Sequence, residues 1–257
     1  MSSEKATALV LRVIDFSETS VIVTLLTREF GKVRALAKGA RRPKGPFESA
    51  LDLLALCRIV FLRKSSDALD LLTEAKLERR FRPPRGSLSN LYAAYYVAEL
   101  LNELTDDYDP HPELFDAAIT TLAELRTVSA AAGVLVRFEL TALRVLGHLP
   151  TLDTCAECGK PVEAAGRVPF SRIAGGVLCG NCRRGQKHII AISAPVLTAL
   201  ARLARADDES WHEVEIDRNI YGEMRGILNN YWTHLVSHPL AMQRYLGQVS
   251  VGAPAQA

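Results

Sequence analysis

The first eighty residues are built from short apolar runs set apart by polar turns. "TALVLRVI" (7–14), "SVIVTLLT" (20–27) and "KVRALAK" (32–38) are rich in branched residues. They are separated by "DFSET" and by "REFG", whose Gly31 serves as the turn residue. Such runs with turn signals between them predict strands. "DLLALCRIVFLR" (52–63) and "ALDLLTEAKLE" (68–78) complete a set of five, although their leucines also fit helical segments. Five short strands expose edges unless the sheet closes, so the first section is expected to be an OB-type five-stranded barrel.

The period changes after "RPPRGSLSN". Pro83 and Pro84 break a strand, and Ser87 or Ser89 can cap a helix. "LYAAYYVAELLNEL", "HPELFDAAITTLAELR" and "AAGVLVRFELTALRVLGH" then carry apolar residues at helical spacing. Pro112 falls in a first turn, where proline is tolerated, and Gly147 ends the third run. "SAPVLTALARLARA" and "NIYGEMRGILNNYWTHLVSH" are two further helices. The reading is an α+β multidomain chain. A barrel occupies 1–82 and a helical domain 83–247, with an insertion of another kind at about 150–190. The tail 248–257 is expected to be flexible.

Composition adds a bias of charge. The 257 residues carry a formal charge of only +2. Residues 1–82 hold 16 Lys or Arg against 10 Asp or Glu, a net of +6, and the remainder holds 15 against 19, a net of −4. That asymmetry suits an anionic partner for the first part, whether nucleic acid or a membrane surface, and equally suits a basic domain that is merely soluble. The apolar start is broken by Arg12 and Asp15 with no small-residue cleavage site after it, and no run reaches the roughly 18 apolar residues of a membrane span. A cytoplasmic protein that does not enter membranes is expected, with its thiols reduced.

The sharpest chemical signal is "CAECGK" followed by "CGNCRRG". Cys155 and Cys158 form one C-x-x-C pair, and Cys179 and Cys182 form another, with 20 residues between the pairs. This is the spacing of a four-cysteine zinc site. Four thiolates satisfy a tetrahedral ion and leave no position open to water, so one structural Zn2+ is expected. Gly159 and Gly180 ease the tight turns. A redox pair or disulfides fit less well, and His188 is an available but unneeded substitute ligand. Cys57 lies in an apolar run and reads as core.

The stretch "AKGARRPKGP" (37–46) concentrates positive charge. Lys32, Arg34, Lys38, Arg41, Arg42 and Lys44 lie between Glu29 and Glu48 with no acid among them. Lys32 and Arg34 share the outer face if the third run is a strand, because side chains alternate. Cations in such a loop can follow a phosphate backbone and release its counterions. Phe16, Phe30, Phe47 and Phe61 are candidates to stack on bases, and each also fits the core. No P-loop, no H-E-x-x-H and no assembled nucleophile–base pair occurs, so no catalytic site is expected.

Together these pieces resemble the RecO family of bacterial recombination mediators. "VLRVIDFSETSVIVTLLTREFGKVRALAKGARRPKG" is similar to its N-terminal signature, including Glu18-Thr19, Thr27-Arg28-Glu29 and Lys38 to Arg42. "RFELTALRVLGHLPTLDTCAECGK" resembles its helix leading into a zinc knuckle, and "HPLAMQRYL" its last helix. The chain departs from the family at Gly45, where a serine is common, and in "LAMQ", which replaces a more basic stretch. The resemblance implies an N-terminal OB domain, a helical domain and a zinc site held by Cys155, Cys158, Cys179 and Cys182. It also implies a non-enzymatic role. Such proteins bind single- and double-stranded DNA and anneal complementary strands without a nucleotide cofactor. With RecR they help load RecA onto DNA covered by single-strand-binding protein (SSB). Association with the bacterial nucleoid follows. The rival reading is a zinc-stabilised scaffold that binds repair proteins without annealing DNA.

Overall fold

The computed structural model describes residues 2–42, 45, 47, 50–64, 68–206 and 209–251. Its first 79 residues supply five strands: β1 (Ser2–Asp15), β2 (Val21–Thr27), β3 (Gly31–Ala37), β4 (Leu56–Arg63) and β5 (Asp70–Arg79). They close into a barrel in the order β1-β2-β3-β5-β4, with β3 and β5 parallel and the other pairs antiparallel. The two leucine-rich runs are therefore strands. In β4 buried and more exposed positions alternate with a period of two, so Cys57, Ile59 and Phe61 all point into the core.

Closure depends on the length of β1. Residues Ser2 to Leu9 pair with β4, and Ala8 to Asp15 pair with β2. The β1–β2 register shifts between Val10 and Arg12, and such a bulge bends a strand so that it can serve two neighbours. Alternation sends Val10, Val23, Val33 and Ala35 inward, and all are fully buried.

Among the described residues five α-helices follow: α1 (Leu88–Leu104), α2 (Pro112–Glu124), α3 (Ala131–Val145), α4 (Ala194–Leu203) and α5 (Arg218–Val236). Pro112 opens α2, and Asp217 caps α5 by accepting a hydrogen bond from the Ile220 amide at 2.8 Å. At the end of α3 the amide of Gly147 donates to the Arg144 carbonyl and that of His148 to the Leu143 carbonyl. Gly147 takes φ +76, the left-handed conformation that this helix stop needs.

Between α3 and α4 lies a three-stranded sheet of β6 (Arg167–Ser171), β7 (Gly176–Val177) and β8 (Ile189–Ser193), in the order β7-β6-β8. Among the described residues two short 3-10 helices, Glu209–Glu213 and Ala241–Gln248, complete the elements, and the second takes in the end of "HPLAMQRYL". By packing, residues 1–87 and 94–127 form one compact unit, and 88–93 and 128–257 form a second. Among the described residues no helix is long and apolar enough to cross a membrane.

Candidate nucleic-acid interface and metal centre

The basic residues of the barrel unit fall into two groups. Lys32 and Arg34 do project outward from β3, as alternation requires, but both have partners within the unit. The Lys32 ammonium donates to the carbonyls of Asn102, at 2.8 Å, and Thr105. These oxygens lie in and just beyond the last turn of α1, where helix carbonyls lack intrahelical donors. Arg34 pairs with Asp107 at 3.0 Å. Upstream, the Arg28 guanidinium grips the Asp116 carboxylate through Nε at 2.8 Å and Nη2 at 2.9 Å, and holds that carboxyl below its usual range. Glu29 accepts from the Thr7 amide at 3.0 Å. The Thr27-Arg28-Glu29 motif thus braces the barrel.

Lys38, Arg41 and Arg42 form the second group. They follow β3 in the turn at 38–42, and all three are exposed. The turn is anchored to the β1–β2 connection: the Arg41 amide donates to the Thr19 carbonyl at 3.1 Å, and the Gly39 amide to the Ser20 hydroxyl at 3.4 Å. The Arg41 guanidinium reaches Asp15 at 2.9 Å, with both side chains at least half exposed. Lys38 and Arg42 have no ion-pair partner among the described residues. Lys44 lies outside the described residues.

The four aromatic candidates separate just as clearly. Phe47 and Phe61 are buried, and Phe30 packs edge-on against Phe61 with ring centroids 5.6 Å apart. Phe16 is 59% exposed in the β1–β2 turn. Sequence spacing did not reveal that this turn and the basic turn adjoin. The contact is made by the antiparallel register of β2 and β3, which sets Val21 opposite Ala37.

The four cysteines converge in the second unit. The Gly159 amide donates to the Cys155 carbonyl and the Cys155 amide to the Lys160 carbonyl, both at 2.8 Å, which closes the first knuckle. Gly159 has φ +69 there. The Ala156 amide bonds the Val177 carbonyl at 2.9 Å, which ties this knuckle to β7, two residues before Cys179. All four sulfurs lie within 4.8 Å of one another, without His188.

The Cys158 and Cys179 sulfurs are 3.8 Å apart. That is far beyond a disulfide bond of about 2.05 Å. It matches the edge of a thiolate tetrahedron with metal–sulfur bonds of about 2.3 Å, roughly 3.8 Å. Burial works against ionisation of Cys155, but the amides of Cys179, Cys158 and Glu157 outweigh it and bring the thiol down to about 6. Cys182 is pushed up to about 12, first by its hydrogen bond with Cys179 and then by that with Cys158. The sulfurs cannot all ionise together unless a cation compensates them, so the donor set and its spacing fit a metal ion.

Comparison with known proteins agrees with this anatomy. Residues 1–81 match the family model described as Recombination protein O N terminal, and residues 85–243 match that described as Recombination protein O C terminal. The chain is similar to the DNA repair protein RecO of Rhodopirellula baltica, with 43% identity covering 93% of this chain and 97% of that protein. It is 36% identical to the DNA repair protein RecO of Anaeromyxobacter dehalogenans, covering 97% and 98%. With that of Myxococcus xanthus it shares 34% identity, covering 95% and 97%.

Proposed function

We propose, from the premise that the chain belongs to the RecO family of DNA repair proteins, that it is a non-enzymatic recombination mediator of the bacterial nucleoid. In this reading the 1–82 domain binds single- and double-stranded DNA and brings complementary strands together. With RecR, the protein then helps RecA to load onto DNA coated by SSB.

The observation that carries the reading is the exposed turn holding Lys38, Arg41 and Arg42 beside the β1–β2 connection. Three cations on one short turn lower the repulsion between two phosphate backbones and hold them within pairing distance. The Arg41–Asp15 pair does not bar this, since an exposed ion pair contributes only about 0–1 kcal/mol and a phosphate can replace the carboxylate. Lys44 is assigned to the same set from its place in the sequence. Lys32 and Arg34 add to the field of the barrel face while they stay bound to α1 and Asp107. The metal is Zn2+, one per chain and structural. Cys155, Cys158, Cys179 and Cys182 would hold it, and four thiolates leave it no open position for chemistry.

Annealing of two complementary dye-labelled oligonucleotides, followed by energy transfer without ATP, tests the reading. The wild type anneals faster than the spontaneous reaction, and Arg41→Ala/Arg42→Ala loses most of that acceleration at every sequence tried. For about three to four phosphate contacts to single strands, log K falls with log salt at a slope of roughly −2 to −3. A wild type that binds DNA with no salt dependence, or fails to anneal even at low salt, overturns the proposal in favour of a scaffold that binds only proteins.

A further inference from the structure

The strand registers assemble an apolar row on the outside of the barrel. Pairing sets Ile14 opposite Ile22, and Ile22 opposite Leu36, with all three side chains directed away from the core. Inward positions of the same strands, such as Val23 and Ala35, are fully buried. Ile14 is 42% exposed, and Ile22 and Leu36 are half-buried. Phe16, two residues beyond Ile14 and 59% exposed, stands at the turn end of the row. Two strand spacings of about 4.8 Å make the row about 10 Å wide.

Cations bracket this row. Arg12, on the outward face of β1 opposite Thr24, flanks it on one side. Lys38 flanks it on the other, where β3 runs into the basic turn, and both are exposed. Of the two acids beside it, Asp15 is paired across from Val21, on the inward face of the ribbon, and holds Arg41, and Glu18 stands exposed in the β1–β2 turn beyond Phe16. An aromatic ring and a strip of aliphatics between two cations fit a ligand that carries apolar faces on a polyanionic chain. A single nucleic-acid strand has both, whereas a duplex hides its base faces in the stack.

We infer that Phe16 and the Ile14–Ile22–Leu36 row form a base-stacking platform that makes this protein prefer single-stranded to double-stranded DNA. The inference rests on the DNA-binding reading above and adds to it the residues that sense the base. Arg12 and Lys38 hold the phosphates to either side. The turn 38–42 serves both kinds of DNA, and the platform serves only unpaired bases.

The test measures binding of full-length protein to three fluorescein-labelled probes of equal length: oligo-dT, an abasic phosphodiester strand and a duplex. Phe16→Ala weakens binding to oligo-dT by between about fivefold and about a hundredfold, the range of one base–aromatic stack. Its binding to the abasic strand and the duplex stays at the wild-type level. Because Phe16 is exposed, the variant melts as the wild type does. Phe16→Trp keeps the affinity, and its indole emission is quenched by oligo-dT and not by the abasic strand. Equal losses of Phe16→Ala on all three probes overturn the inference, because the residue then acts on charge or folding. No loss on any probe overturns it too and leaves the row as a docking face for a protein. In both cases the wild type still binds DNA, whereas a wild type that binds none of the probes removes the DNA-binding reading itself.

Discussion

The ammonium of Lys32, on β3, donates to the backbone carbonyl of Asn102, in the last turn of α1, at 2.8 Å. A residue from the barrel's basic stretch thus closes a helix end, where a cation also meets the negative pole of the helix. Gly31, just before it, completes the joint. Its φ is +71, and a β-carbon there would collide with the backbone of Asp109.

Replacing Lys32 by Ala leaves these C-terminal carbonyls without their charged donor. A hydrogen bond to a charged group contributes about 1.5–3 kcal/mol, so a stability loss of that order is expected in urea unfolding. Below the melting transition, DNA affinity falls by no more than the share of one distant charge. A loss of DNA binding as large as that of Arg41→Ala/Arg42→Ala, with stability unchanged, contradicts this division of labour.

Glu139 of α3 is fully buried. It accepts from the Arg225 guanidinium, with Nη1 at 3.2 Å, and from the Trp232 indole N–H at 2.9 Å. Removing one member of a buried pair strands the other charge. Glu139→Met and Arg225→Met are each expected to cost about 3–5 kcal/mol. Glu139→Met/Arg225→Met, which leaves no charge behind, costs less than the two single losses together. A double-mutant cycle by chemical denaturation measures the coupling, and strict additivity refutes it.

If the four cysteines hold a structural metal as proposed, its removal is expected to unfold the surrounding segment. Purified protein is expected to contain one equivalent of zinc by elemental analysis. A strong chelator should then lower the melting temperature and open the amides of residues 150–190 to hydrogen exchange. Cys158→Ala reproduces both effects. An unchanged melting curve in metal-free protein speaks against a structural site.

Burial pushes the Cys57 thiol up to about 12, with Glu78 and Asp52 adding to it, and its Sγ donates to the Ala50 carbonyl at 3.0 Å. The folded protein keeps this proton while the unfolded chain releases it near pH 9. The contribution is therefore fully present below about pH 9 and is lost as pH rises toward 12. Over that window Cys57 adds to the decline of stability a slope of up to about 1.4 kcal/mol per pH unit. Comparing the pH dependence of unfolding in wild type and Cys57→Ala isolates it, since other alkaline titrations are common to both. Parallel curves between pH 9 and 12 refute it.

Much of this protein could be read along the chain. The branched runs and the turns between them determined that the first section is built of strands, and the period of two set Lys32 and Arg34 on the outer face of β3 whatever surrounds it. The two C-x-x-C pairs determined the donor set of the candidate metal centre, since a two-residue gap already fits the turn that presents two sulfurs. Gly147 determined a helix end by its backbone freedom alone. What the chain order could not decide was the company each basic residue keeps. Lys32 and Lys38 look alike in sequence, yet one is held by α1 and the other stands in solvent, because residues 102–105 pack against the start of β3 and leave its end open. Four phenylalanines were equal candidates until closure of the barrel buried Phe47 and Phe61 and left Phe16 exposed where the β1–β2 turn begins. Contacts between residues 70 or 80 positions apart follow from strand register and helix packing. These are settled by the whole core at once, and no local run of residues encodes them.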